Sequence, residues 1–329
     1  MTMPPPLPAL ATETDAGPHR WPGQRIAVVV PCYNEEVAIP HVIAAFRRAL
    51  PEAEIYVFDN NSRDQTAAVA RAAGAQVRRE LRQGKGNVVR RAFADIEADV
   101  YLLVDGDDTY DASAAPAMVD LLIDQHLDMV NGARVTDIAA AYRPGHRLGN
   151  RVLTGLVRAV FGNEISDMLS GYRVFSRRFV KSFPSLASGF ETETEFTVHA
   201  LDLKMPVGEV PTRYKDRPEG SVSKLRTYSD GLRILRTIVV LVKEERPLQF
   251  FSRVAAALAV LGLVLGIPVV VEFMRSGLVP RLPSALLATA LELLASLAVA
   301  SGLILDSVAR GRKEVKRLAY LAIPGIGAG

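Results

Sequence analysis

The chain has 329 residues, enough for one large domain with an accessory region or for two ordinary domains. Apolar residues make up 49% of it and the mean hydropathy is +0.15, an excess that is concentrated in the last quarter. The 39 basic and 36 acidic residues leave a net charge of +3, which excludes the strongly basic surface typical of a nucleic-acid-binding protein. The single cysteine, Cys32, excludes an internal disulfide framework and fits a reducing compartment.

The first 24 residues are rich in Pro, Ala and Thr and contain no apolar stretch of the kind found in a signal peptide. We expect residues 1–24 to form a disordered tail. Beyond them, five strand-like runs alternate with four helix-like runs. The strands are predicted at Ile26–Val30, Ile55–Phe58, Gln76–Arg79, Tyr101–Val104 and Met129–Asn131, and the helices at Val37–Leu50, Asp64–Ala73, Asn87–Ile96 and Ala114–Asp124. This alternation predicts an α/β domain with a mainly parallel sheet over residues 25–224.

Three of the predicted strands are followed directly by polar clusters. Pro31 to Glu35 follow the first strand, Asp59 to Ser62 the second, and Asp105 to Asp108 the fourth. Ligands of open α/β sheets bind beyond the carboxyl ends of the strands. The three clusters are therefore predicted to form one site.

The third cluster contains two carboxylates in a D-x-D arrangement, Asp105 and Asp107. Such oxygen ligands bind Mg²⁺ or Mn²⁺, and the same ion can hold the phosphates of a nucleotide diphosphate. The pattern occurs by chance in many acidic loops, but its position directly after an apolar strand favours a metal site here. No G-x-G-x-x-G follows the first strand, and the glycines around Lys85 do not form a P-loop. Lys85 either approaches a phosphate or belongs to a simple turn.

From residue 249 onward the chain becomes markedly apolar. Val254–Val271 contains no charged residue and Leu282–Leu305 contains only Glu292, so each run approaches or reaches the length that spans a bilayer. A buried helical hairpin in a soluble core is the alternative, and the basic residues flanking both runs argue against it. We expect residues 249–308 to be a two-helix transmembrane anchor, in which the G-x-x-x-G pattern at Gly262 suggests close helix packing and a possible homo-oligomer.

The distribution of basic residues predicts the orientation in the membrane. Lysine and arginine cluster before the first span and after the second, and only Arg275 and Arg281 lie between them. The positive-inside rule then predicts a multi-pass protein of the inner (plasma) membrane, with both termini and the α/β domain in the cytoplasm. Residues 225–248 are predicted to be an amphipathic juxtamembrane segment, and residues 309–329 a basic cytoplasmic tail.

The order of these motifs resembles the family-2 glycosyltransferases of the GT-A fold. Two further stretches, residues 170–173 (Ser-Gly-Tyr-Arg) and residues 217–225 (Arg-Pro-Glu-Gly-Ser-Val-Ser-Lys-Leu), resemble the dolichyl-phosphate mannose synthases and bacterial polyprenyl-phosphate sugar transferases within that family. The resemblance covers about residues 25–250 together with the two-span anchor. It implies a Rossmann-like catalytic domain, a nucleotide-sugar donor, a polyprenyl phosphate acceptor and Mg²⁺ or Mn²⁺ as cofactor.

The resemblance also implies roles for individual residues. The nucleotide-sugar would be bound by Pro31, Tyr33, Glu35, Asp59, Lys85, Asp105 and Gly106. The metal would be bound by Asp105, Asp107 and Thr109, and the catalytic set would be Asp107, Arg217 and Lys224. The acceptor phosphate would be bound by Arg147, Arg151, Arg158 and Ser223. The sequence departs from the family pattern at two places. The first is Asp59-Asn60-Asn61-Ser62, where many relatives have a second Asp. The second is the acidic run at Glu191, Glu193 and Glu195, which leaves the identity of the transferred sugar undetermined.

The function implied is inverting, metal-dependent transfer of a sugar from a UDP- or GDP-linked donor to a polyprenyl phosphate. Two alternatives remain: a membrane-tethered transferase for another lipid or a polysaccharide acceptor, and a non-catalytic sugar-nucleotide-binding scaffold. A processive polysaccharide synthase would carry a Gln-x-x-Arg-Trp motif, but Trp21 is the only tryptophan. The intact residues Asp105, Asp107 and Arg217 argue against a scaffold.

Overall fold

The computed structural model describes residues 20–135, 155, 165–187, 189, 191–218, 236, 239–240 and 242–326. The strands are β1 Ile26–Cys32, β2 Glu54–Asp59, β3 Gln76–Arg79, β4 Val100–Leu103, β5 Met129–Val135, β6 Arg173–Ser176 and β7 Val207–Arg213. The helices are α1 Ile39–Ala49, α2 Thr66–Ala72, α3 Lys85–Asp95, α4 Ala115–Asp124, α5 Arg177–Ser182, α6 Thr192–Leu203, α7 Pro247–Ser276 and α8 Leu282–Leu321.

The strands form one sheet in the order β3-β2-β1-β4-β6-β5-β7. Neighbouring strands are parallel except at β6, which runs antiparallel to both β4 and β5. The predicted α/β fold with a mainly parallel sheet is therefore confirmed. All strands other than β6 end at the same edge of the sheet, which we call the carboxyl edge.

Both faces of the sheet are covered, because alternate residues of its central strands enter two different cores. In β1, Val28 and Val30 pack in the core beneath α1 and α4, while Ala27 and Val29 pack in the core beneath α3, α5 and α6. A strand buried on both faces reads as a continuous apolar run, which explains why β1 was recognisable in the sequence. The second core is strongly aromatic; Phe175, for example, lies 4.6 Å from Phe179 between ring centroids.

The amino-terminal boundary of the catalytic domain lies earlier than the sequence suggested. Trp21 is buried, and its indole Nε1 donates a hydrogen bond of 2.9 Å to Asp120 in the middle of α4. Arg20 also pairs with Asp120. The prediction of a disordered tail reaching residue 24 is therefore wrong for residues 20–24, because an aromatic anchor holds them against the domain.

Helices α7 and α8 are long and apolar enough to cross a membrane, and only 17% and 22% of their most apolar stretches is buried within the protein. Exposed leucine, valine and isoleucine cover their outer surfaces. The two helices pack closely at Gly266 against Ala288 and at Gly302 against Phe251, where small residues let the backbones approach. Burial in a soluble core does not account for such a pair, and the two helices indicate a membrane protein.

The chain after the second span differs from the predicted basic tail. Helix α8 continues without interruption to Leu321 and contacts the catalytic domain, so most of residues 309–329 belongs to a docked helix. The predicted amphipathic segment, residues 225–248, lies largely outside the described residues.

Candidate active site

Three loops at the carboxyl edge place the predicted polar clusters side by side. The loops after β1, β2 and β4 each contain one residue with left-handed backbone, Asn34 (φ 54°), Asn61 (φ 63°) and Asp108 (φ 56°). Asparagine and aspartate adopt this conformation more readily than other side-chain-bearing residues. The loops also bind one another: the amide of Asn34 donates to Ser62 Oγ at 3.0 Å.

The D-x-D loop is held in place by close packing and by an internal cap. A side chain at Gly106 would meet Cys32 Sγ at 2.5 Å, so only glycine fits between the two aspartates. The Thr109 hydroxyl donates to Asp107 Oδ1 at 2.6 Å, and the Thr109 amide donates to the same oxygen at 3.2 Å. Thr109 therefore orients Asp107, and the other carboxylate oxygen, Oδ2, faces Arg217.

Lys85, the first residue of α3, joins the D-x-D loop to α6. Its ammonium lies 2.5 Å from Asp105 Oδ1 and 2.5 Å from Glu193 Oε1, and both Lys85 and Glu193 are buried. Burial disfavours the ammonium, but the two carboxylates outweigh this effect and raise the pKa of Lys85. A side chain at Gly171 would collide with the Asp105 carboxylate, so the Ser-Gly-Tyr-Arg stretch also shapes this cluster.

Arg217 reaches the D-x-D loop because the segment after β7 is attached to that loop. The amide of Lys215 donates to the Thr109 carbonyl at 2.7 Å, and Tyr110 pairs with Tyr214 in an isolated β-bridge. Arg217 Nη2 then lies 2.5 Å from Asp107 Oδ2, and Arg217 Nη1 lies 3.7 Å from Glu35 Oε1 without forming a hydrogen bond to a described residue. A guanidinium with an unused donor suits the binding of phosphate.

Several carboxylates lie near Cys32 at the carboxyl edge. Burial raises the pKa of the Cys32 thiol, and the carboxylates around it raise the pKa further; these belong to Glu35, Asp59, Asp105 and Asp107. Burial and the neighbouring Asp105 also raise the pKa of Asp107, against the opposing effect of Arg217. Such a site favours a cation beside Asp107.

The predicted metal ligands Asp105, Asp107 and Thr109 lie together in the loop after β4. Among the residues that the structure describes, no three His, Cys, Asp or Glu side chains gather closely enough to hold a metal ion by themselves. Mg²⁺ is usually held by one or two carboxylates with substrate phosphates and water completing the shell. Asp105 and Asp107 fit that arrangement, whereas the Thr109 hydroxyl is already engaged with Asp107.

The remaining predicted nucleotide ligands lie at the same edge. Pro31 near the end of β1 and Tyr33 in the loop after it are half-buried, and the buried residues Glu35 and Asp59 flank them. The amide of Ser62 donates to Asp59 Oδ1 at 3.1 Å, which fixes that carboxylate beside the first loop. The other predicted residues lie outside the described residues; they are Arg147, Arg151, Arg158, Ser223 and Lys224.

Two charged residues of this region were not assigned a definite role from the sequence. No local sequence feature distinguishes Glu193 from Glu191, whereas in the structure Glu193 is buried against Lys85. Arg134, at the carboxyl end of β5, binds Asp167 through two hydrogen bonds of 2.6 and 2.8 Å, and its guanidinium lies 5.6 Å from the Tyr214 ring centroid. The position of Arg134 near the carboxyl end of a strand is the feature that could have indicated a place at this edge.

Known proteins share this architecture. The model of glycosyl transferase family 2 matches residues 27–183. Glycosyltransferase AglJ of Haloferax volcanii is 35% identical over 254 residues, which cover 75% of this chain and 82% of that protein. The dolichyl-phosphate hexose transferase of the same organism is 30% identical over 221 residues, 67% of this chain and 95% of that protein.

Solved structures agree on the fold. Glucosyl-3-phosphoglycerate synthase from Mycobacterium tuberculosis, crystallised with Mn²⁺, uridine diphosphate and phosphoglyceric acid, superposes with a TM-score of 0.55 at 22% identity. The match covers 67% of this chain and 78% of that one. Together with the relatives from Haloferax volcanii, this places the chain among the GT-A enzymes, and the protein belongs to glycosyltransferase family 2.

Proposed function

We propose that this glycosyltransferase transfers a sugar, with inversion, from a UDP- or GDP-linked donor to a polyprenyl phosphate at the cytoplasmic face of the membrane. The observation that carries the proposal is the placement of Arg217 against Asp107 in a chain that also has two helices long and apolar enough to cross a membrane. The similarity to a dolichyl-phosphate hexose transferase over 95% of that protein's length supports the same acceptor class.

On the donor side, the loops after β1 and β2 would bind the nucleoside, with Asp59 and Glu35 as its polar contacts. Asp105 and Asp107 would hold Mg²⁺ or Mn²⁺ together with the diphosphate. When bound, the ion would neutralise the negative charge that develops on the departing nucleotide. Arg217, whose Nη1 has an unused donor, would bind the same phosphates and shield them as the bond to the sugar breaks.

On the acceptor side, the chemistry requires no general base. A phosphate monoester has a second pKa near 6, so it is largely dianionic at neutral pH and is already a nucleophile. The protein has to orient it and shield its charge, which arginine does well through paired N–H groups. Arg147, Arg151, Arg158, Ser223 and Lys224 remain our proposed acceptor and phosphate ligands, with Arg134 as an additional cation at the same edge.

The test measures radiolabelled sugar transferred from UDP- and GDP-sugars into organic-extractable polyprenyl phosphate by purified protein in proteoliposomes. We expect one donor to label the lipid, EDTA to abolish labelling, and Asp107→Asn to lower it by about 10²-fold or more, since a ligand that acts on the leaving group is lost. Asp111→Asn, which keeps a side-chain acceptor for the Ser113 amide, is the matched control and should retain activity. Transfer that proceeds equally well to a soluble sugar, or that survives EDTA, would contradict the proposal.

A further inference from the structure

Helix α8 is much longer than a membrane span. It runs for 40 residues, from Leu282 to Leu321, and its apolar part ends at Leu305. At 1.5 Å per residue, the remaining 16 residues extend about 24 Å beyond the apolar part. The only proline of this helix, Pro283, lies in its first turn, so no proline interrupts the continuous rod.

The first contact between this rod and the catalytic domain is an ion pair at the end of α6. Lys313 Nζ lies 2.8 Å from Asp202 Oδ1, and Asp202 is only 3% exposed. Lys316 forms a similar pair, 2.8 Å from Glu245 Oε1, with the segment that leads into α7. A nearly buried carboxylate without its cation is unfavourable, so Asp202 favours the docked position of α8.

The second contact lies two turns further along, at the edge of the sheet opposite the carboxyl edge. The Tyr320 hydroxyl donates to Asp128 Oδ2 at 2.8 Å, and Asp128 is completely buried. Asp128 also accepts from Ser176 Oγ at 2.7 Å and from Arg178, whose guanidinium lies 4.8 Å from the Tyr320 ring centroid. Tyr320 thus provides one of the hydrogen bonds that satisfy this completely buried carboxylate.

These contacts join two parts of the chain that are far apart in sequence. Lys313 is 111 residues from Asp202, and Tyr320 is 192 residues from Asp128. Because two contacts at different heights fix both the position and the tilt of a rod, the catalytic domain has little freedom to rotate about α8. The contacts lie about 12 and 22 Å beyond Leu305 along the helix.

We propose that the extramembrane end of α8 is a rigid mount, which holds the catalytic domain at a fixed height and orientation over the bilayer through Lys313 and Tyr320. The inference rests on the proposed function, because a fixed height matters only when the acceptor phosphate is itself confined to the membrane surface. A soluble acceptor reaches the carboxyl edge by diffusion and does not require the mount. Lys313 and Tyr320 are therefore positioning residues for lipid-borne acceptors.

The test compares a double variant, Lys313→Ala with Tyr320→Ala, with a control double variant on the same helix. The control, Arg310→Ala with Leu318→Ala, removes one basic and one large side chain that are both exposed, and the ion pair of Arg310 is with Asp306 on the same helix. Three quantities are measured: amide hydrogen exchange of residues 310–321, transfer to polyprenyl phosphate in proteoliposomes, and transfer to a short-chain, water-soluble isoprenyl phosphate in detergent.

For the Lys313/Tyr320 variant we expect faster exchange and a loss of lipid transfer on the order of tenfold, because misplacement of a reacting group lowers the rate steeply. Transfer to the short-chain phosphate should stay unchanged, as should all three quantities in the control. The proposed mount would be contradicted if the Lys313/Tyr320 variant showed unchanged lipid transfer, unchanged hydrogen exchange, or an equal loss of transfer with both acceptors. Failure of the wild type with both phosphate acceptors would instead reject the proposed function, and hydrogen exchange would still decide whether the contacts hold α8.

Discussion

Lys85 offers the sharpest test of how the site is held together. In Lys85→Met, the Asp105 and Glu193 carboxylates lose the ammonium that now lies 2.5 Å from each of them. Removing one partner of a buried ion pair costs about 3–5 kcal/mol. Glu193 avoids the uncompensated buried charge by binding a proton, and protonating a carboxyl group of ordinary pKa at pH 7 costs about 3–4 kcal/mol. This cost sets the upper limit of the loss of stability. We therefore expect the catalytic domain to lose about 3–4 kcal/mol of stability at pH 7.

The loss should depend on pH in a defined direction. Burial and Asp105 already raise the pKa of Glu193, and Lys85 opposes that rise. Without Lys85 the folded-state pKa of Glu193 lies further above its unfolded value, so the folded variant binds a proton more tightly. Its stability is then greatest at low pH and is lost as the pH rises through the folded-state pKa. The deficit relative to the wild type should shrink by up to about 1.4 kcal/mol per pH unit between pH 7 and pH 5.

Trp21 makes the measurement direct, because the only tryptophan of the chain is buried in the catalytic domain. Its fluorescence should report a fall in melting temperature of roughly 6–16 °C at pH 7. Adding Glu193→Gln should recover much of this loss, and Arg91→Met, which breaks the exposed pair with Asp95 on the same helix, is the control. An equal deficit at pH 5 and pH 7, or no recovery in the double variant, would refute the reasoning.

Two further predictions concern topology and acid stability. In a Cys32→Ser background, Ser276→Cys should react with a membrane-impermeant thiol reagent on intact cells. Val315→Cys, at an exposed position of α8, should not react. The reverse labelling pattern would contradict the predicted orientation. Burial lowers the pKa of His199 to about 3, so stability should fall as the pH drops below 6.5, where the unfolded chain takes up the proton. His199→Gln should reduce the fall of the fluorescence-monitored melting temperature below pH 6.5. An unchanged dependence on pH would contradict the role of His199.

The parallel half of the fold was predictable because each central strand is buried on both faces. The β3 boundaries were predicted as observed, and β1 and β2 differ from their predicted ranges by at most two residues at either end. The antiparallel strand β6 was not predicted. Arg173 lies at the start of β6 and is completely buried, held by hydrogen bonds to the Ser170 and Met168 carbonyls that no local pattern reveals.

The candidate site was predictable where it follows strand ends. The structure brings Asp105, Asp107 and Arg217 together, although Arg217 is 110 residues from Asp107 in the sequence. The approach of Arg217 depends on the bridge between Tyr110 and Tyr214, and such long-range pairing leaves no periodic signal.

Helix α6 shows why the polar residues of the second half were hard to interpret. Its sequence reads as polar, yet every residue except Glu195 is buried. Charged groups in such a helix need partners, and both come from distant elements: Lys85 binds Glu193 in the first turn, and Lys313 binds Asp202 in the last turn. One buried helix thus links the D-x-D cluster to the mount on α8. The Lys85 variant therefore tests the end of α6 that contacts the D-x-D cluster, and the Lys313 variant tests the end that contacts α8.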